Sequence, residues 1–240
     1  MSDWIILCDF DGTISVEDVT DSLLERHAHP DWTILEERWK SGKIGSHDCM
    51  ADQIGLLDAD RRQLDALFAS MRIDRTFPAF VEAALAARIP IRIVSDGLDL
   101  AIESILARHQ LEHLPISANK LEPNGERSWK LSFPHASDAC KVASGMCKCA
   151  AVAQARTQKK KVLLIGDGAS DFCASGAVDM VFAKHRLIEH CRAQGLPYIP
   201  ITGFDDALVL LPSLIEGTLT LPSSASHDAI ASRKGPLSHA

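Results

Sequence analysis

Short apolar runs alternate with longer amphipathic stretches along most of the chain. The clearest apolar runs span residues 4–8, 89–94 and 161–165, with weaker ones at 178–182 and 198–201. Runs with little polar alternation are typical of parallel strands that are covered on both faces. Because such strands alternate here with helical patterns, the sequence predicts an α/β fold with a doubly wound, Rossmann-like parallel sheet.

A long helical stretch separates the first two clear strands. Four segments in it show helical periodicity and are separated by turn-forming residues: 16–27, 32–41, 46–56 and 61–71. A single crossover helix needs far fewer residues. We therefore predict a small helical cap over residues 16–78, inserted after the first strand into an α/β core that comprises residues 1–15 and 79–221.

Composition limits the classes of protein to consider. The 240 residues are 46% hydrophobic, enough for one sizeable core with a small appended domain. Residues 222–240 are mainly small and polar, so we predict a disordered tail. No apolar run approaches the roughly 18 residues of a membrane span, and we therefore expect no membrane association.

Net charge and cysteine spacing indicate which binding partners and which cellular compartment to expect. The net charge is -7, and the only basic cluster is the short run Lys159, Lys160 and Lys161. Nucleic acid is not an expected partner, because backbone phosphates require a clustered positive surface. The seven cysteines lack the regular spacing of a secreted disulfide framework, which favours the reducing cytoplasm.

Two aspartates follow the first predicted strand directly. Asp9 and Asp11 are separated by one residue, and Gly12 permits the chain to turn after them. Ligands of open parallel sheets bind at the carboxyl ends of the strands. Because two close carboxylates repel each other unless a cation or a shared proton relieves them, the pair indicates a metal site.

Two further strands end in acidic or hydroxyl side chains beside glycine. The strand at 89–94 is followed by Ser95, Asp96 and Gly97, and the strand at 161–165 leads to Asp167 and Asp171. The ends of such strands lie side by side in a doubly wound sheet, so the three segments are expected to form one site. A cluster of carboxylates suits a hard divalent cation, and Mg²⁺ is the usual occupant.

A lysine completes the set of candidate residues. Lys148 lies just ahead of a helical run at 150–156, where the helix dipole disfavours a cation. An anion close to it would compensate. We therefore regard Lys148 as a candidate phosphate ligand.

Taken in order, these motifs resemble the haloacid dehalogenase superfamily over about residues 3–212. The resemblance implies that Asp9 is the nucleophile that forms an aspartyl-phosphate and that Asp11 is the general acid and base. It implies that Ser95 and Lys148 bind the phosphoryl group. Gly97, in the same loop as Ser95, is also counted among the substrate-binding residues. Mg²⁺ would be held by Asp9, Asp11 through its carbonyl oxygen, and Asp167, with Asp171 as a supporting ligand or orienting group. The expected activity is hydrolysis of a small phosphomonoester.

The helical insertion resembles the cap of the phosphoserine phosphatase-like branch. Segments such as 94–99, 146–148 and 181–184 look closest to the methionine-salvage phosphatases that act on a 2-hydroxy-3-keto-5-methylthiopentenyl phosphate, and to phosphoethanolamine and phosphocholine phosphatases. The resemblance implies that Glu17 contacts the non-phosphate end of the substrate. A glutamate in the first turn of a helix also has a structural role, because its negative charge interacts favourably with the helix dipole. Asp96 stands where many relatives have glycine, and we count it among the substrate-binding residues.

Three alternatives remain open at this stage. A phosphotransferase or mutase of the same fold would use the same motifs, and a phospho-receiver-like binding protein would share an aspartate, a metal and a lysine. Receivers lack the equivalents of Asp11 and of the helical insertion. A zinc site at Cys140, Cys147, Cys149 and His135 is conceivable, but the spacing matches no zinc pattern.

Overall fold

The computed structural model describes residues 2–140 and 142–221, so the predicted tail at 222–240 lies outside the described residues. In this part of the chain one sheet has seven strands: β1 (Trp4–Cys8), β2 (Ile91–Leu98), β3 (Ile116–Pro123), β4 (Trp129–Ser132), β5 (Lys161–Gly166), β6 (Met180–Ala183) and β7 (Tyr198–Pro200). Their order is β4-β3-β2-β1-β5-β6-β7, and every pairing is parallel except that of β3 with β4. The chain builds outward from β1 on one side and then returns to β5 on the other. This confirms the doubly wound sheet.

The α-helices of the same residues are α1 (Val19–His27), α2 (Trp32–Lys40), α3 (Ser46–Gly55), α4 (Arg61–Ser70), α5 (Phe77–Ala86), α6 (Asp99–Ala107), α7 (Lys148–Thr157), α8 (Phe172–Ser175), α9 (His185–Gln194) and α10 (Phe204–Glu216). Helices α1 to α4 form the insertion between β1 and β2, and we call them the helical insertion. The four helices predicted there each lie within three residues of their observed bounds. No described helix has both the length and the apolar character needed to cross a bilayer.

Both faces of the sheet are covered. Alternate side chains of a strand point to opposite faces, and those of β1 enter two different apolar clusters. Ile6 and Cys8 join a cluster with residues of α5, α6 and α10, whereas Ile5 and Leu7 join one with residues of α7 and α9. Burial on both faces explains why this strand has no polar alternation.

The helical insertion leaves and re-enters the core at one narrow neck. Ser15 and Ile73 form an isolated antiparallel bridge. On either side of it, the amide of Val16 donates to the carbonyl of Arg72 at 3.0 Å, and the amide of Asp74 donates to Ile14 at 2.8 Å. The bridge thus joins the two ends of the insertion. The predicted boundary at 78/79 falls in the first turn of α5, whose Phe77 packs edge-on against Phe204 of α10.

The far end of the insertion rests on the β3–β4 hairpin. The indole Nε1 of Trp129 donates to the carbonyl of Ala59 at 2.8 Å, and the amide of Ala59 donates to Arg127 at 3.1 Å. The guanidinium of Arg127 also pairs with Asp58. These contacts fix the connection between α3 and α4 to the hairpin.

The hairpin itself was absent from the prediction. Strand β4 is the edge strand and β3 lies next to it, and the buried positions of β3 are interrupted by exposed or partly exposed ones such as Lys120 and Glu122. This pattern lacks the continuous apolar run by which the central strands were identified. Strand β2, in turn, continues beyond the apolar run through Ser95, Asp96 and Gly97 to Leu98.

Candidate active site

The candidate residues meet at the carboxyl edge of three adjacent strands. β1 lies between β2 and β5; Asp9 follows β1, Ser95 lies in the last part of β2, and Asp167 follows β5. Gly12 is in the left-handed region at φ +69°, and a β-carbon there would lie 2.6 Å from Oδ2 of Asp167. A glycine is therefore required for the turn after Asp9 to approach the end of β5.

Asp9 is held by three donors. It is 4% exposed. Its Oδ1 accepts from the amide of Phe10 at 2.7 Å, and its Oδ2 lies 2.6 Å from Nζ of Lys148 and accepts from Ser170 Oγ at 3.3 Å. A buried carboxylate with this set of partners is fixed in orientation, as a nucleophile needs to be.

Lys148 is buried and forms ion pairs with two carboxylates. Its Nζ lies 2.6 Å from Asp171 Oδ1 as well as from Asp9, and it donates to Ser170 Oγ at 2.9 Å. Burial alone would lower the pKa of this ammonium, but Asp171 and Asp9 raise it above its ordinary value. Lys148 is the first residue of α7, so these carboxylates supply the negative charge that its place at a helix N-terminus led us to expect.

Asp171 is fully buried and contacts Lys148 and the backbone after β5. Its Oδ2 accepts from the amides of Asp167 and Gly168 at 3.1 and 3.2 Å, while Oδ1 faces Lys148. Burial raises the pKa of this carboxyl group and Lys148 opposes the effect. Both oxygens of Asp171 are thus engaged by protein donors, and through them Asp171 contacts Lys148 and the loop after β5.

Asp167 is more open. Its Oδ1 accepts from the Thr13 hydroxyl at 3.2 Å. Burial and the nearby Asp9 raise its pKa to about 6. Asp9, Asp167 and Asp171 each place an oxygen so that the three atoms lie within 4.8 Å of one another. A cluster of hard oxygen donors fits a divalent cation such as Mg²⁺.

Asp11 lies where the core meets the helical insertion. Its Oδ1 accepts from the amide of Val19, the first residue of α1, at 2.9 Å. Its Oδ2 faces β2, because a β-carbon at Gly97 would lie 2.3 Å from that atom. Burial and the nearby Asp18 raise the pKa of Asp11 well above its usual range. A carboxyl group with a raised pKa is suited to donate a proton.

Strand β2 departs from regular pairing where it enters the site. Val94 pairs with Ser117 and Leu98 with Asn119, so β2 advances four residues while β3 advances two. Such an irregularity redirects side chains and is frequent beside active sites. It presents Ser95, which is 1% exposed and whose Oγ accepts from the amide of Gly97 at 3.1 Å.

Two predicted substrate-binding residues have protein partners. The carboxylate of Glu17 pairs with the guanidinium of Arg72, with Nε donating at 2.8 Å, beside the neck of the insertion. The carboxylate of Asp96 accepts from Ser46, Asn119 and Met146. Gly97 makes room for Asp11. The role of these three residues in substrate binding stays a prediction.

Several site residues were not identified from the sequence. Ser170 joins Lys148 to Asp9. Thr13 donates to Asp167, and Nζ of Lys184 donates to the carbonyls of Gly12 and Thr13 at 2.9 and 3.1 Å. Lys184 follows β6 and belongs to the segment 181–184 that carries the family resemblance, but no role was assigned to it from the sequence.

Comparison with known proteins gives consistent matches. A family profile described as Putative Phosphatase matches residues 4–187. A 2-hydroxy-3-keto-5-methylthiopentenyl-1-phosphate phosphatase of Brevibacillus brevis is 30% identical over 86% of this chain and 94% of its own length. The protein of the same description from an Exiguobacterium species is 29% identical, over 84% of this chain and 94% of its own length.

Solved structures share the fold at lower identity. A HAD family hydrolase of Salmonella enterica serovar Typhi has a TM-score of 0.68 at 20% identity and covers 91% of this chain and 72% of its own. A phosphoserine phosphatase described as a phospho-aspartyl intermediate analogue has a TM-score of 0.67 at 15% identity, covering 87% of this chain and 99% of its own.

Proposed function

This chain belongs to the Putative Phosphatase family and is a phosphoric monoester hydrolase with the haloacid dehalogenase fold; from that premise we propose that it is a magnesium-dependent phosphomonoesterase that forms an aspartyl-phosphate on Asp9. The observation that carries the proposal is the buried contact of Asp9 with Lys148 at 2.6 Å, with Asp167 and Asp171 beside them. An oriented carboxylate and a cation at the carboxyl edge of a parallel sheet, where ligands bind, support the transfer of a phosphoryl group there.

In the first half-reaction a carboxylate oxygen of Asp9 attacks phosphorus and the bond from phosphorus to the leaving oxygen breaks. Asp11 gives its proton to that oxygen, so a neutral alcohol departs. Lys148 and Ser95 bind the equatorial oxygens, whose charge they offset. The raised pKa of Asp11 supports its part as the acid.

In the second half-reaction water attacks the aspartyl-phosphate. Asp11, now a carboxylate, takes the proton from that water, and inorganic phosphate leaves as the Asp9 carboxylate is restored. Acid and base are then the same group in its two protonation states.

Asp9 and Asp167 would hold Mg²⁺, with the carbonyl of Asp11 as the resemblance implies. The bound cation would reduce the repulsion between an anionic nucleophile and an anionic phosphate. Asp171 would serve as a supporting ligand or as the group that orients Lys148, which lies 2.6 Å from it. Thr13 and Lys184 keep the Asp167 carboxylate and the Gly12 turn in place.

The proposed substrate is a small phosphorylated metabolite. The names of the relatives make 2-hydroxy-3-keto-5-methylthiopentenyl-1-phosphate the first compound to test. We place the enzyme in the cytoplasm, which is supported by seven cysteines that are all free thiols.

The test is the release of inorganic phosphate from a panel of phosphorylated amino acids, amino alcohols, sugars and methylthio-sugar intermediates, with Mg²⁺ and after chelation. We expect turnover that chelation stops and Mg²⁺ restores. Transfer to an added alcohol or sugar phosphate without net phosphate release would instead favour the phosphotransferase alternative. A stable phosphoprotein that does not turn over would favour the receiver-like alternative.

A further inference from the structure

Asp96 lies between the motif serine and the glycine that faces Asp11, in the irregular part of β2. Its carboxylate accepts hydrogen bonds from three protein donors. Oδ2 accepts from the Ser46 hydroxyl at 2.5 Å, and Oδ1 accepts from the amide of Met146 at 2.8 Å and from Asn119 Nδ2 at 3.2 Å. A carboxylate with these partners has little capacity left for a substrate.

The three donors come from three different parts of the molecule. Ser46 is the first residue of α3 in the helical insertion, Asn119 lies in β3, and Met146 lies in the loop before α7. Asn119 also donates to the backbone carbonyl of Asp96 at 2.6 Å and is completely buried. Asp96 is therefore the point at which the insertion, the sheet and that loop are joined.

The connection to Lys148 is short. Met146 precedes it by two residues, and its backbone is held on both sides, since its amide donates to Asp96 and its carbonyl accepts from Ser144 Oγ at 3.0 Å. The next residue, Cys147, is the N-cap of α7 and its amide donates to His135 at 3.0 Å. The position of Met146 thus sets where α7 begins, and with it the position of the Lys148 ammonium.

The insertion meets this loop at a second place. The amide of His47 donates to the carbonyl of Ala143 at 3.0 Å, and a β-carbon at Gly45 would lie 2.8 Å from that of Ala143. The start of α3 therefore touches both Asp96 and the loop that Asp96 holds. A shift of α3 cannot leave that loop unaffected.

We infer that Asp96 is a positioning residue: it transmits the docking of α3, through Ser46, to Ser95 on one side and to Lys148 on the other, so that the phosphate-binding pair is correctly placed only when the helical insertion is docked. The inference rests on the proposed function for its kinetic consequence and on the observed contacts for its structural one. It deepens the role of the helical insertion, which would complete the catalytic site as well as cover it.

The test compares Ser46→Ala with Ser41→Ala. Ser41 ends α2 in the same insertion, and its hydroxyl donates to the carbonyl of Arg38 at 3.0 Å, within its own helix. With p-nitrophenyl phosphate and Mg²⁺, we expect kcat/KM to fall about tenfold or more in Ser46→Ala, the usual effect of losing a hydrogen bond to a charged group. Ser41→Ala should stay within about twofold, and Ser46→Thr, which keeps the hydroxyl, should recover most of the loss.

Amide hydrogen exchange supplies a readout that does not depend on turnover. Ser46→Ala should speed exchange in α3 and also in residues 144–148, where wild type and Ser41→Ala stay protected. Added Mg²⁺ with orthovanadate, a phosphoryl analogue, should protect α3 in wild type and less so in Ser46→Ala, because coupling between two sites is reciprocal.

Two results would overturn the inference. Exchange that increases only in α3, with residues 144–148 unchanged, would mean that the insertion is not coupled to Lys148. A loss of activity in Asp96→Asn with Ser46→Ala unaffected would mean that Asp96 serves as a substrate ligand. If wild type hydrolysed no phosphomonoester, the proposed function would fail, and the exchange comparison would still decide the coupling.

Discussion

Nζ of Lys148 lies 2.6 Å from Oδ2 of Asp9 with both side chains almost completely buried, at 1% and 6% exposure. The same ammonium lies 2.6 Å from Asp171. One cation therefore compensates two buried carboxylates that would otherwise repel each other. We therefore expect Lys148 to stabilise the folded site, in addition to its proposed role in binding the phosphoryl group.

Replacing Lys148 with Met should destabilise the protein by about 3–5 kcal/mol, because two buried carboxylates lose their counterion. Burial already raises the pKa of Asp171, and without Lys148 that pKa would rise further above its unfolded value. A carboxyl group with a raised pKa costs stability increasingly as pH rises. The deficit measured by thermal or urea unfolding should thus be small at pH 5 and larger at pH 8.

Lys184→Met is the matched control. Lys184 is also buried, but its Nζ donates to the carbonyls of Gly12 and Thr13, which do not titrate. Lys184 also interacts electrostatically with Asp167, whose pKa is about 6, so its deficit should change with pH mainly near pH 6 and be nearly constant from pH 7 to pH 8. An equally constant deficit for Lys148→Met between pH 7 and pH 8 would contradict the counterion role.

Replacing Asp9 with Asn should abolish turnover while the fold is retained, because the nucleophile is lost and one of the repelling charges is removed with it. Phosphate release and circular dichroism measure the two effects separately. Wild type, acid-quenched during turnover, should carry phosphate on the tryptic peptide that contains Asp9. Residual activity above a few per cent in the variant would contradict the covalent mechanism.

Asp11→Asn should separate the two half-reactions. p-Nitrophenol is a good leaving group that scarcely needs a proton, so aspartylation should be spared relative to a substrate with an alkoxide leaving group. Hydrolysis of the phosphoenzyme still needs a base, and such groups typically contribute about 10²–10⁴-fold. Rapid quench should show a burst of p-nitrophenol and then a slow steady state. Equal slowing of good and poor leaving groups without a burst would restrict Asp11 to its backbone carbonyl.

The affinity for Mg²⁺ should fall in acid. The pKa of Asp167 is raised to about 6 by burial and Asp9, and a carboxyl group must lose its proton to bind a metal. The apparent Kd, measured calorimetrically without substrate, should therefore rise about tenfold for each pH unit below 6 and change little above 7.

Asp167→Asn should weaken Mg²⁺ binding at pH 7.5, where the wild-type residue is ionised. Asp205→Asn is the control, because that exposed carboxylate lies in the first turn of α10. If Asp167→Asn left the metal titration unchanged, the assignment of Asp167 would be wrong.

The sequence was sufficient to predict the central strands and the helical insertion. β1, β2 and β5 are buried on both faces, so their apolar runs mark them, and Asp9, Ser95 and Asp167 follow from the rule that sites lie at strand ends. The buried positions of β3, which lies next to the edge strand β4, are interrupted by exposed residues, and the hairpin that supports the insertion was missed for that reason.

The contacts within the site could not be derived in this way. Asp96 meets Ser46 and Met146, each fifty residues away in the chain, and no periodicity records such a contact. Serine is a common residue at helix N-caps, and only the fold shows that Ser170 lies between Lys148 and Asp9. The pairing of Glu17 with Arg72 likewise depends on the neck that brings residues 17 and 72 together.

That neck also bears on how such an enzyme can diversify. Because Ser15 and Ile73 already pair with each other, the core chain is continuous in space across the point where the four helices depart. Over evolutionary time those helices can be lengthened, shortened or exchanged for others while the strands that carry Asp9, Ser95 and Asp167 keep their partners. The residues for catalysis and those for substrate preference can therefore evolve separately. Substitutions in the helices can change the substrate while the residues proposed to cleave the phosphate ester are retained.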